Sequence, residues 1–575
     1  MPNHRKIHPK FKRLILHSIV DLVAICAKKG IRNAILSPGS RCAPLTLAFA
    51  RHSQIHTRTI SDERSAAFIA LGMAQQLEEP VALVCTSGSA ALNYYPAIAE
   101  AFFQQIPLLI LTADRPAEWI DQYDGQTIFQ PAVYGKHVKG SFELPDSTNN
   151  SDQLWHSSRI VNEAINLAKH FPAGPVHINI PLREPFYPEQ DEKIEFSTTP
   201  RVFDQEHYAV QLSEESLKRL NNRLQSVSKI MIVAGQQKTD QALQVILDQL
   251  SKEKKVVIVT DTISNLQSDQ TISLHDHWLG NLALNQELEP ELIISFGKSV
   301  ISKSLKLFLR NTQSSHWHVQ EDGKAKDTFQ NLSRTVPSSP ISFLSWLALE
   351  LKPQNQDFQS SWIALEQKTK FALAKAFEMI EFGEYAALAY CLSKTPSLSK
   401  IHVANSMAVR YLNLLGKREQ EISCNRGTSG IDGSNSTAVG CTFTTKEIVT
   451  LVTGDMAFFY DRNAFWHNYS IPNLRIILLN NHAGGIFRLI DGPKNQPELE
   501  EFFETKQNLS ADHLATEFGF FYSKVVNQEE LEVSLTDFYD DSLHPKILEI
   551  ETESKSNSHI LKLIKERIAE TLNAK

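Results

Sequence analysis

Two dipeptides in the C-terminal third of the sequence place oxygen-bearing side chains at the ends of predicted strands. Gly454-Asp455 follows the apolar run EIVTLVT, and Asn480-Asn481 follows NLRIILL. Asp455 and Asn481 lie 26 positions apart, which suits one strand-helix-strand crossover whose right-handed path returns both side chains to one sheet edge. A carboxylate, an amide oxygen and a nearby carbonyl form the oxygen set that Mg²⁺ prefers when it also binds phosphate. On spacing alone, a helix cap at Asp455 and a simple turn at Asn480-Asn481 remain an open alternative.

A glycine-rich segment, NRGTSGIDGSNSTAVG, lies just upstream at residues 425–440. Small residues after Gly433 are typical of the start of a helix. Backbone N–H groups and the helix dipole at such a start favour a diphosphate. The alternative is a Gly/Ser-rich loop that binds nothing, which the density of glycines makes less attractive.

Three stretches of the chain alternate short apolar runs with helical sequence, which indicates parallel sheets built from strand-helix-strand units. In the first, residues 32–114, the segments PGSR, DER, TSGSA and TADRP lie where a strand ends or a helix begins. Open α/β sheets bind ligands at that edge. We therefore predict an α/β protein with three doubly wound parallel-sheet domains, at residues 1–190, 200–355 and 375–575.

The middle stretch carries no dinucleotide fingerprint, because the turn after its first strand reads AGQQK instead of GxGxxG. Polar residues 186–208 precede this stretch as a linker, and residues 352–361 mark a second break. Beyond that break we expect long helical sequence to about residue 412.

Composition excludes several classes of protein. The chain has 575 residues, 42% hydrophobic and 21% charged, with a net charge of −7, so it is typical of globular proteins and has no basic surplus for nucleic acid. Its six cysteines are scattered without CxxC spacing, which favours a reducing cytoplasm. No apolar run approaches the roughly 20 residues that a membrane-spanning helix needs. We expect a cytoplasmic protein.

These motifs resemble the thiamine-diphosphate enzymes, whose diphosphate-and-metal signature is GD…NN. The segments PGSR, SDERSAAFIALGMA, TSGSAALNYYPAI, TADRP and NRGTSGIDG resemble one family among them, the 2-succinyl-5-enolpyruvyl-6-hydroxy-3-cyclohexene-1-carboxylate synthases of menaquinone biosynthesis. The resemblance runs from about residue 32 to 490. It implies a pyrimidine-binding first domain, a Rossmann-like middle domain without a nucleotide fingerprint, and a third domain that binds diphosphate and metal. The implied cofactors are thiamine diphosphate and Mg²⁺, which Mn²⁺ can replace.

The resemblance also implies roles for individual residues. Glu63, in Asp62-Glu63-Arg64, matches the catalytic glutamate that hydrogen-bonds N1′ of the cofactor's aminopyrimidine and promotes its imino tautomer. Without the resemblance, such an acid would more simply stabilise a helix N-terminus by less than about 1 kcal/mol. The implied metal ligands are Asp455, Asn481 and the carbonyl of Ala483, although this chain reads Asn-Asn-His-Ala-Gly-Gly where the family often has Asn-Asn-Asn-Gly-Gly. The implied cofactor contacts are Glu63, Gly430, Ile431, Gly454, Asp455, Met456 and Asn481.

The implied substrates, 2-oxoglutarate and isochorismate, each carry two carboxylates, which guanidinium groups bind through paired hydrogen bonds. The residues at the family's substrate-binding positions are Ser40, Arg41, Arg115, Gln126, Lys303, Ser406, Arg410 and Arg426. The middle domain departs from the family pattern, since Ser304 follows Lys303 where an arginine can stand. Lys306 or Arg310 could take the role of that arginine or face solvent.

The reaction implied is decarboxylation of 2-oxoglutarate on the cofactor, followed by conjugate addition of the resulting enamine to isochorismate, with release of CO₂. The superfamily clamps its cofactor between the first domain of one subunit and the third domain of its neighbour, so at least a homodimer is expected. Two alternatives remain open at this point. One is another thiamine-diphosphate lyase or synthase, such as an acetohydroxyacid synthase or an oxoacid decarboxylase. The other is a non-catalytic protein on the same fold.

Overall fold

The computed structural model describes residues 9–146, 150–184, 186–188, 193–206, 210–280, 286–352 and 357–573. These residues form three parallel sheets accompanied by helices, which confirms the predicted α/β class and its three sheets. None of the helices in the described ranges combines the length and hydropathy needed to cross a membrane.

The chain divides into two compact units. Unit 1 comprises the described residues of Met1–His207 together with Asn425–Lys446 and Phe459–Ile471. Unit 2 comprises the described residues of Tyr208–Cys424 together with Glu447–Phe458 and Pro472–Lys575. The three domain boundaries given above follow the sheets and stay predictions.

The sheet of unit 1 has the strand order β2-β1-β3-β4-β6-β5. Its two central strands are buried at every position and mostly apolar, as parallel strands between helices require. The strands are β1 (Asn33–Leu36), β2 (His56–Thr59), β3 (Val81–Cys85), β4 (Leu108–Asp114), β5 (Ser141–Glu143) and β6 (Pro175–Pro181). The helices along this part of the chain are α1 (Pro9–Lys28), α2 (Ala43–Arg51), α3 (Glu63–Leu77), α4 (Ser89–Asn93), α5 (Tyr95–Gln104) and α6 (Ser151–Lys169).

The first sheet of unit 2 has the order β11-β10-β9-β7-β8. Its strands are β7 (Ile230–Ala234), β8 (Val256–Thr260), β9 (Leu292–Phe296), β10 (Ser315–Val319) and β11 (Leu332–Val336). The helices of this region are α7 (Glu214–Gln225), α8 (Gln241–Leu250), α9 (Lys303–Arg310), α10 (Pro340–Glu350) and α11 (Gln359–Phe377).

The second sheet of unit 2 has the order β13-β12-β14-β15-β17-β16. Its strands are β12 (Ser399–Val403), β13 (Glu421–Ser423), β14 (Ile448–Gly454), β15 (Leu474–Asn480), β16 (Phe521–Val525) and β17 (Lys546–Glu551). The remaining helices in chain order are α12 (Glu384–Lys394), α13 (Met407–Leu415), α14 (Ser434–Thr442), α15 (Asp455–Tyr460), α16 (Asp512–Phe518), α17 (Gln528–Leu535) and α18 (Ser554–Asn573). Of these, α14 belongs to unit 1.

The expectation of helical sequence up to residue 412 is wrong at β12. The helix α12 ends at Lys394, and Pro396, which cannot continue a helix, follows closely. The five residues of β12 then pair with β13 and β14 in parallel. A strand this short owes its stability to those neighbours, so its own pattern carries little signal.

In unit 1, α3 and α14 pack backbone against backbone. A Cβ atom built on Gly72 would lie 2.0 Å from the carbonyl oxygen of Thr437, and one on Gly440 would lie 2.1 Å from that of Ile69. Only glycine allows this approach at both points. The helix that begins after Gly433 is therefore fixed against α3, the helix that begins with Glu63.

Candidate functional site

The carboxyl ends of β14 and β15 bring Asp455 to the same sheet edge as Asn481. The two strands are parallel neighbours in which Gly454 pairs with Leu479, so the crossover predicted from the spacing is present. Asp455 is the first residue of α15 and is buried. Its Oδ2 accepts a hydrogen bond of 2.7 Å from Gln507 Nε2. Burial raises the pKa of Asp455 to about 6, although hydrogen bonds, first that from Gln507, favour the ionised form.

In the turn after β15, the side-chain amide oxygens of Asn480 and Asn481 accept hydrogen bonds from backbone N–H groups of the same turn. Asn481 Oδ1 accepts from the Ala483 N–H at 3.1 Å, and Asn480 Oδ1 accepts from the His482 N–H at 3.2 Å. His482 adopts a left-handed conformation with φ of 59°. The Ala483 carbonyl accepts from the Gly485 N–H at 2.9 Å, which leaves its second lone pair for another partner.

These oxygens fit a magnesium ion. Among the described residues no lysine or arginine forms an ion pair with Asp455, and hydrogen bonds and the charge of His482 only partly offset the cost of burying its carboxylate. No group of three or more His, Cys, Asp or Glu side chains in the described ranges could enclose a metal ion. Mg²⁺ does not need such a cage, because it binds one or two carboxylates and completes its shell with water and phosphate oxygens.

Glu384 lies directly behind Asn481. Its Oε1 accepts from Asn481 Nδ2 at 2.7 Å, and its Oε2 accepts from Tyr411 Oη at 2.9 Å. The side chain is buried, and burial raises the pKa of Glu384 to about 7, with the nearby charge of Asp455 acting in the same direction. The buried Glu384 carboxylate is thus a further charged group at the sheet edge where Asp455 and Asn481 lie.

In unit 1, a buried glutamate holds the start of the glycine-rich loop. Glu100 of α5 accepts from the backbone N–H groups of Gly427 at 2.8 Å and Thr428 at 2.6 Å. The loop then turns at Gly433, where φ is 75° and an added Cβ would lie 2.2 Å from the Phe68 ring. The helix predicted after Gly433 is confirmed as α14. Arg426, Gly430 and Ile431 are half-buried along this loop.

Asp461 closes the beginning of α14 from a fully buried position in unit 1. It accepts from the Ser436 N–H at 2.7 Å and from Ser436 Oγ at 2.9 Å. Burial raises the pKa of Asp461 to about 7, well above the value near 4 of an unfolded aspartate.

We therefore expect Asp461→Asn to remove one component of the pH dependence of stability. The folded chain binds this proton more tightly than the unfolded chain, so its contribution is complete below about pH 4 and is lost as pH rises to about 7. The free energy of unfolding of the wild type should fall relative to that of the variant across this window. Denaturant titrations at several pH values measure the difference, and a constant difference would contradict the expectation.

Glu63 begins α3 beside the carboxyl end of β3. The side chain of Asp62 caps the helix by accepting from the Ser65 N–H, which leaves the half-buried Glu63 carboxylate free of the capping role. Burial raises the pKa of the Cys85 thiol at the end of β3, and Cys42 and Glu63 add to this rise. Asp62 is therefore the residue of this acidic pair that caps the helix, and Glu63 is not needed as a cap.

Two arginines lie together at the strand ends of the same sheet. Arg41, which follows β1, is buried, and its Nη1 donates to the Leu182 carbonyl at 2.8 Å. Arg115, which follows β4, donates to the Gly125 carbonyl and pairs with Asp124 at 2.7 Å. Burial, and then the charge of Arg115, lowers the pKa of Arg41. The buried Arg41 and the half-buried Arg115 thus place two positive charges near each other at this sheet edge.

Ser40 and Gln126 are exposed beside these arginines in the chain. Gln126 has a φ of 57° and packs its backbone against Gly88, where an added Cβ would lie 3.3 Å from Gln126. The TSGSA turn and the loop after TADRP therefore meet at this edge.

In unit 2, Ser406 and Arg410 are brought together. Ser406 precedes α13 with φ of 70° and ψ of −130°, a conformation that is unfavourable for any residue with a side chain. Its carbonyl accepts from Arg410 Nη1 at 2.6 Å.

Lys303 is exposed as the first residue of α9, where the helix dipole opposes a positive charge. Gly454 and Met456 flank Asp455 and are both half-buried.

The predicted residues thus divide between the units. Unit 1 holds Ser40, Arg41, Glu63, Arg115, Gln126, Arg426, Gly430 and Ile431. Unit 2 holds Lys303, Ser406, Arg410, Gly454, Asp455, Met456, Asn481 and Ala483. Glu384, Gln507, Glu100 and Asp461 were not predicted. Each makes its contact with a residue at least 25 positions away, so no local motif marks it.

Comparison with known proteins defines the class to which this fold and site belong. Residues 20–136 match the family model described as the thiamine pyrophosphate enzyme N-terminal TPP binding domain. Residues 202–401 match the model described as the middle domain of thiamine pyrophosphate. The protein is a thiamine-diphosphate-dependent enzyme.

Curated relatives narrow the class to a family. The chain is 46% identical to the 2-succinyl-5-enolpyruvyl-6-hydroxy-3-cyclohexene-1-carboxylate synthase of Cytophaga hutchinsonii, over 97% of this chain and 100% of the relative. It is 39% identical to the synthase of Christiangramia forsetii, over 94% and 97% of the two chains, and 37% identical to that of Flavobacterium johnsoniae, over 97% and 99%. The chain belongs to the family of 2-succinyl-5-enolpyruvyl-6-hydroxy-3-cyclohexene-1-carboxylate synthases, transferases of menaquinone biosynthesis. The predicted family is confirmed, in preference to the two alternatives left open by the sequence.

Proposed function

We propose that the chain removes CO₂ from 2-oxoglutarate and transfers the remaining four-carbon unit to isochorismate, with Asp455 and Asn481 holding the metal ion. The observation that carries the proposal is the sheet edge where the buried Asp455 carboxylate lies beside the Asn481 amide. Its test is mass spectrometry of a reaction with thiamine diphosphate, MgCl₂ and both substrates. The proposal requires a product that contains the ring of isochorismate and the four-carbon unit, and it fails if none forms.

In this proposal Asp455, Asn481 and the Ala483 carbonyl would hold Mg²⁺, or Mn²⁺ in its place, and the metal would supply positive charge for the diphosphate of the cofactor. Gly454 and Met456, on either side of Asp455 in the chain, would contact the cofactor. Gly430 and Ile431 contact the cofactor from the glycine-rich loop. Bound thiamine diphosphate supplies the nucleophilic carbon and accepts the electron pair that CO₂ leaves behind.

Glu63 holds a proton at N1′ of the aminopyrimidine in this scheme. Support comes from its neighbour, since Asp62 already caps α3 and no capping function requires Glu63.

The arginines bind substrate carboxylates. Arg41 and Arg115 supply two adjacent cations in unit 1, and Ser40 and Gln126 add polar contacts beside them. In unit 2, the Ser406 carbonyl accepts from Arg410 Nη1, which fixes the guanidinium group beside the start of α13. Arg426 and Lys303 complete the proposed set. A net-negative protein needs such a local concentration of positive charge to bind dianions.

We infer a homodimer in which each site combines Glu63 of one subunit with Asp455 of the other. Mixing inactive Glu63→Gln and Asp455→Asn variants and allowing subunits to exchange should then restore activity. Half of a random mixture is heterodimer with one intact site of two, which predicts about a quarter of wild-type activity. No recovery after verified exchange would contradict shared sites.

The cytoplasmic location expected from the sequence also stays a prediction.

A further inference from the structure

Glu384 is held from three sides within unit 2. Its backbone N–H donates to Asn557 Oδ1 at 3.0 Å, which ties the start of α12 to α18. Its two carboxylate oxygens accept from Asn481 and Tyr411. An added Cβ on Gly383 would lie 2.7 Å from Ile560 Cδ1 and 3.0 Å from Asn557 Oδ1, so the chain just before Glu384 packs closely against α18. The carboxylate therefore has a fixed position relative to the turn after β15.

The orientation of the Asn481 amide follows from its two partners. The Ala483 N–H can only donate, so the atom that it contacts at 3.1 Å must be the amide oxygen. The amide nitrogen then faces Glu384 at 2.7 Å, where a carboxylate oxygen accepts. A rotated amide would place its nitrogen against the Ala483 N–H and lose both hydrogen bonds.

The burial of Glu384 is unfavourable unless it serves this contact. Within the described ranges no lysine or arginine bonds to its carboxylate, and the charge of Asp455 acts against it. Each of its oxygens satisfies a donor, so an apolar residue here would leave the Asn481 amide nitrogen and the Tyr411 hydroxyl without this acceptor.

We propose that Glu384, supported by Tyr411, is a positioning residue that fixes the Asn481 amide with its oxygen available to the metal ion. The inference rests on the proposed function, since it takes Asn481 as a metal ligand. Partners that orient a metal ligand typically account for a 10- to 100-fold change in metal affinity. Glu384 itself does not touch metal, cofactor or substrate in this assignment.

The test measures the Mg²⁺ concentration needed for half-maximal binding of thiamine diphosphate. Binding is detected by the change in tryptophan fluorescence and by the rise in melting temperature. Glu384→Met fills the same space without hydrogen bonds and should raise that concentration by about 10-fold or more, beyond any effect of the stability that it loses. Glu384→Gln can still accept from Asn481 and should stay within about 3-fold of the wild type. Tyr411→Phe removes only the supporting hydroxyl and should shift the midpoint a few-fold.

Glu549 provides a matched control, because it is also buried and accepts from an asparagine, Asn480, at 2.6 Å and from a tyrosine, Tyr522, at 2.7 Å. Asn480 is not a proposed ligand, although it shares Gln507 with Asp455, so Glu549→Met should change the melting temperature and move the Mg²⁺ midpoint much less than Glu384→Met does. Equal midpoints for the wild type and Glu384→Met, or equal shifts in the Glu384 and Glu549 variants, would overturn the inference. Absence of Mg²⁺-dependent cofactor binding in the wild type would instead overturn the proposed metal site.

Discussion

Glu63→Gln should abolish turnover while the chain still folds and still binds thiamine diphosphate. The substitution keeps the size of the side chain and its hydrogen-bonding reach but removes the proton that the carboxyl group shares with N1′. Loss of a positioned acid-base group lowers rates by about 10²- to 10⁴-fold. We expect a fall within or beyond that range in CO₂ release from 2-oxoglutarate. The cap of α3 is intact in this variant, because Asp62 provides it.

The control for Glu63→Gln is Asp62→Asn. An asparagine caps a helix about as well as an aspartate, so the fold should be preserved. Asp62 also accepts from Asn463 Nδ2 at 2.7 Å, a contact that an asparagine can keep through its oxygen. We expect this variant to retain most of its turnover. A Glu63→Gln enzyme as active as the wild type would show that Glu63 does not exchange the essential proton.

Asp455→Asn should remove Mg²⁺-dependent binding of the cofactor. The variant keeps the shape of the side chain and can still accept from Gln507, but it lacks the negative charge that holds a divalent ion. Because the metal is proposed to hold the diphosphate of the cofactor, little enzyme would carry cofactor at moderate Mg²⁺, and turnover there should fall by about 10²-fold or more. Titration of thiamine diphosphate at increasing MgCl₂ measures the loss directly.

The same substitution, Asp455→Asn, should not lower the stability of the metal-free protein, although it lowers turnover. The pKa of Asp455 is raised to about 6 by burial, so at neutral pH the metal-free fold carries an unfavourable buried charge that the amide removes. Metal-free Asp455→Asn should therefore melt no lower than the wild type. The control is Asp269→Asn, at an exposed position in unit 2, which should change neither the Mg²⁺-dependent binding of the cofactor nor the melting temperature. Cofactor binding with unchanged Mg²⁺ dependence in Asp455→Asn would exclude this residue as a ligand.

The elements that carry the site were predictable because their signals are local. The apolar runs of β14 and β15 end in polar dipeptides, and the glycine-rich segment opens a helix at the position where small residues begin. Burial on both faces of a parallel sheet produces such runs, so sequence and structure report the same physical constraint. The short strand β12 lacks this signal, since its pairing with β13 and β14 supplies the stabilisation.

The contacts behind the site were not predictable in the same way. Glu384 precedes Asn481 by 97 positions, and only the folded sheet brings them within hydrogen-bonding distance. The first residue of α12 looks like any acid at a helix start, where the dipole alone would favour it. Likewise, the assignment of Asn425–Lys446 to unit 1 depends on the packing of α14 against α3, which chain order does not reveal.

The most direct test of the proposed reaction is CO₂ release from 2-oxoglutarate, measured with thiamine diphosphate and MgCl₂ in the presence and absence of isochorismate. The proposal predicts that release depends strongly on isochorismate and is lost in Glu63→Gln. Equal release without isochorismate would contradict it, because the second substrate would then have no part in the turnover that the arginines and the metal site are proposed to support.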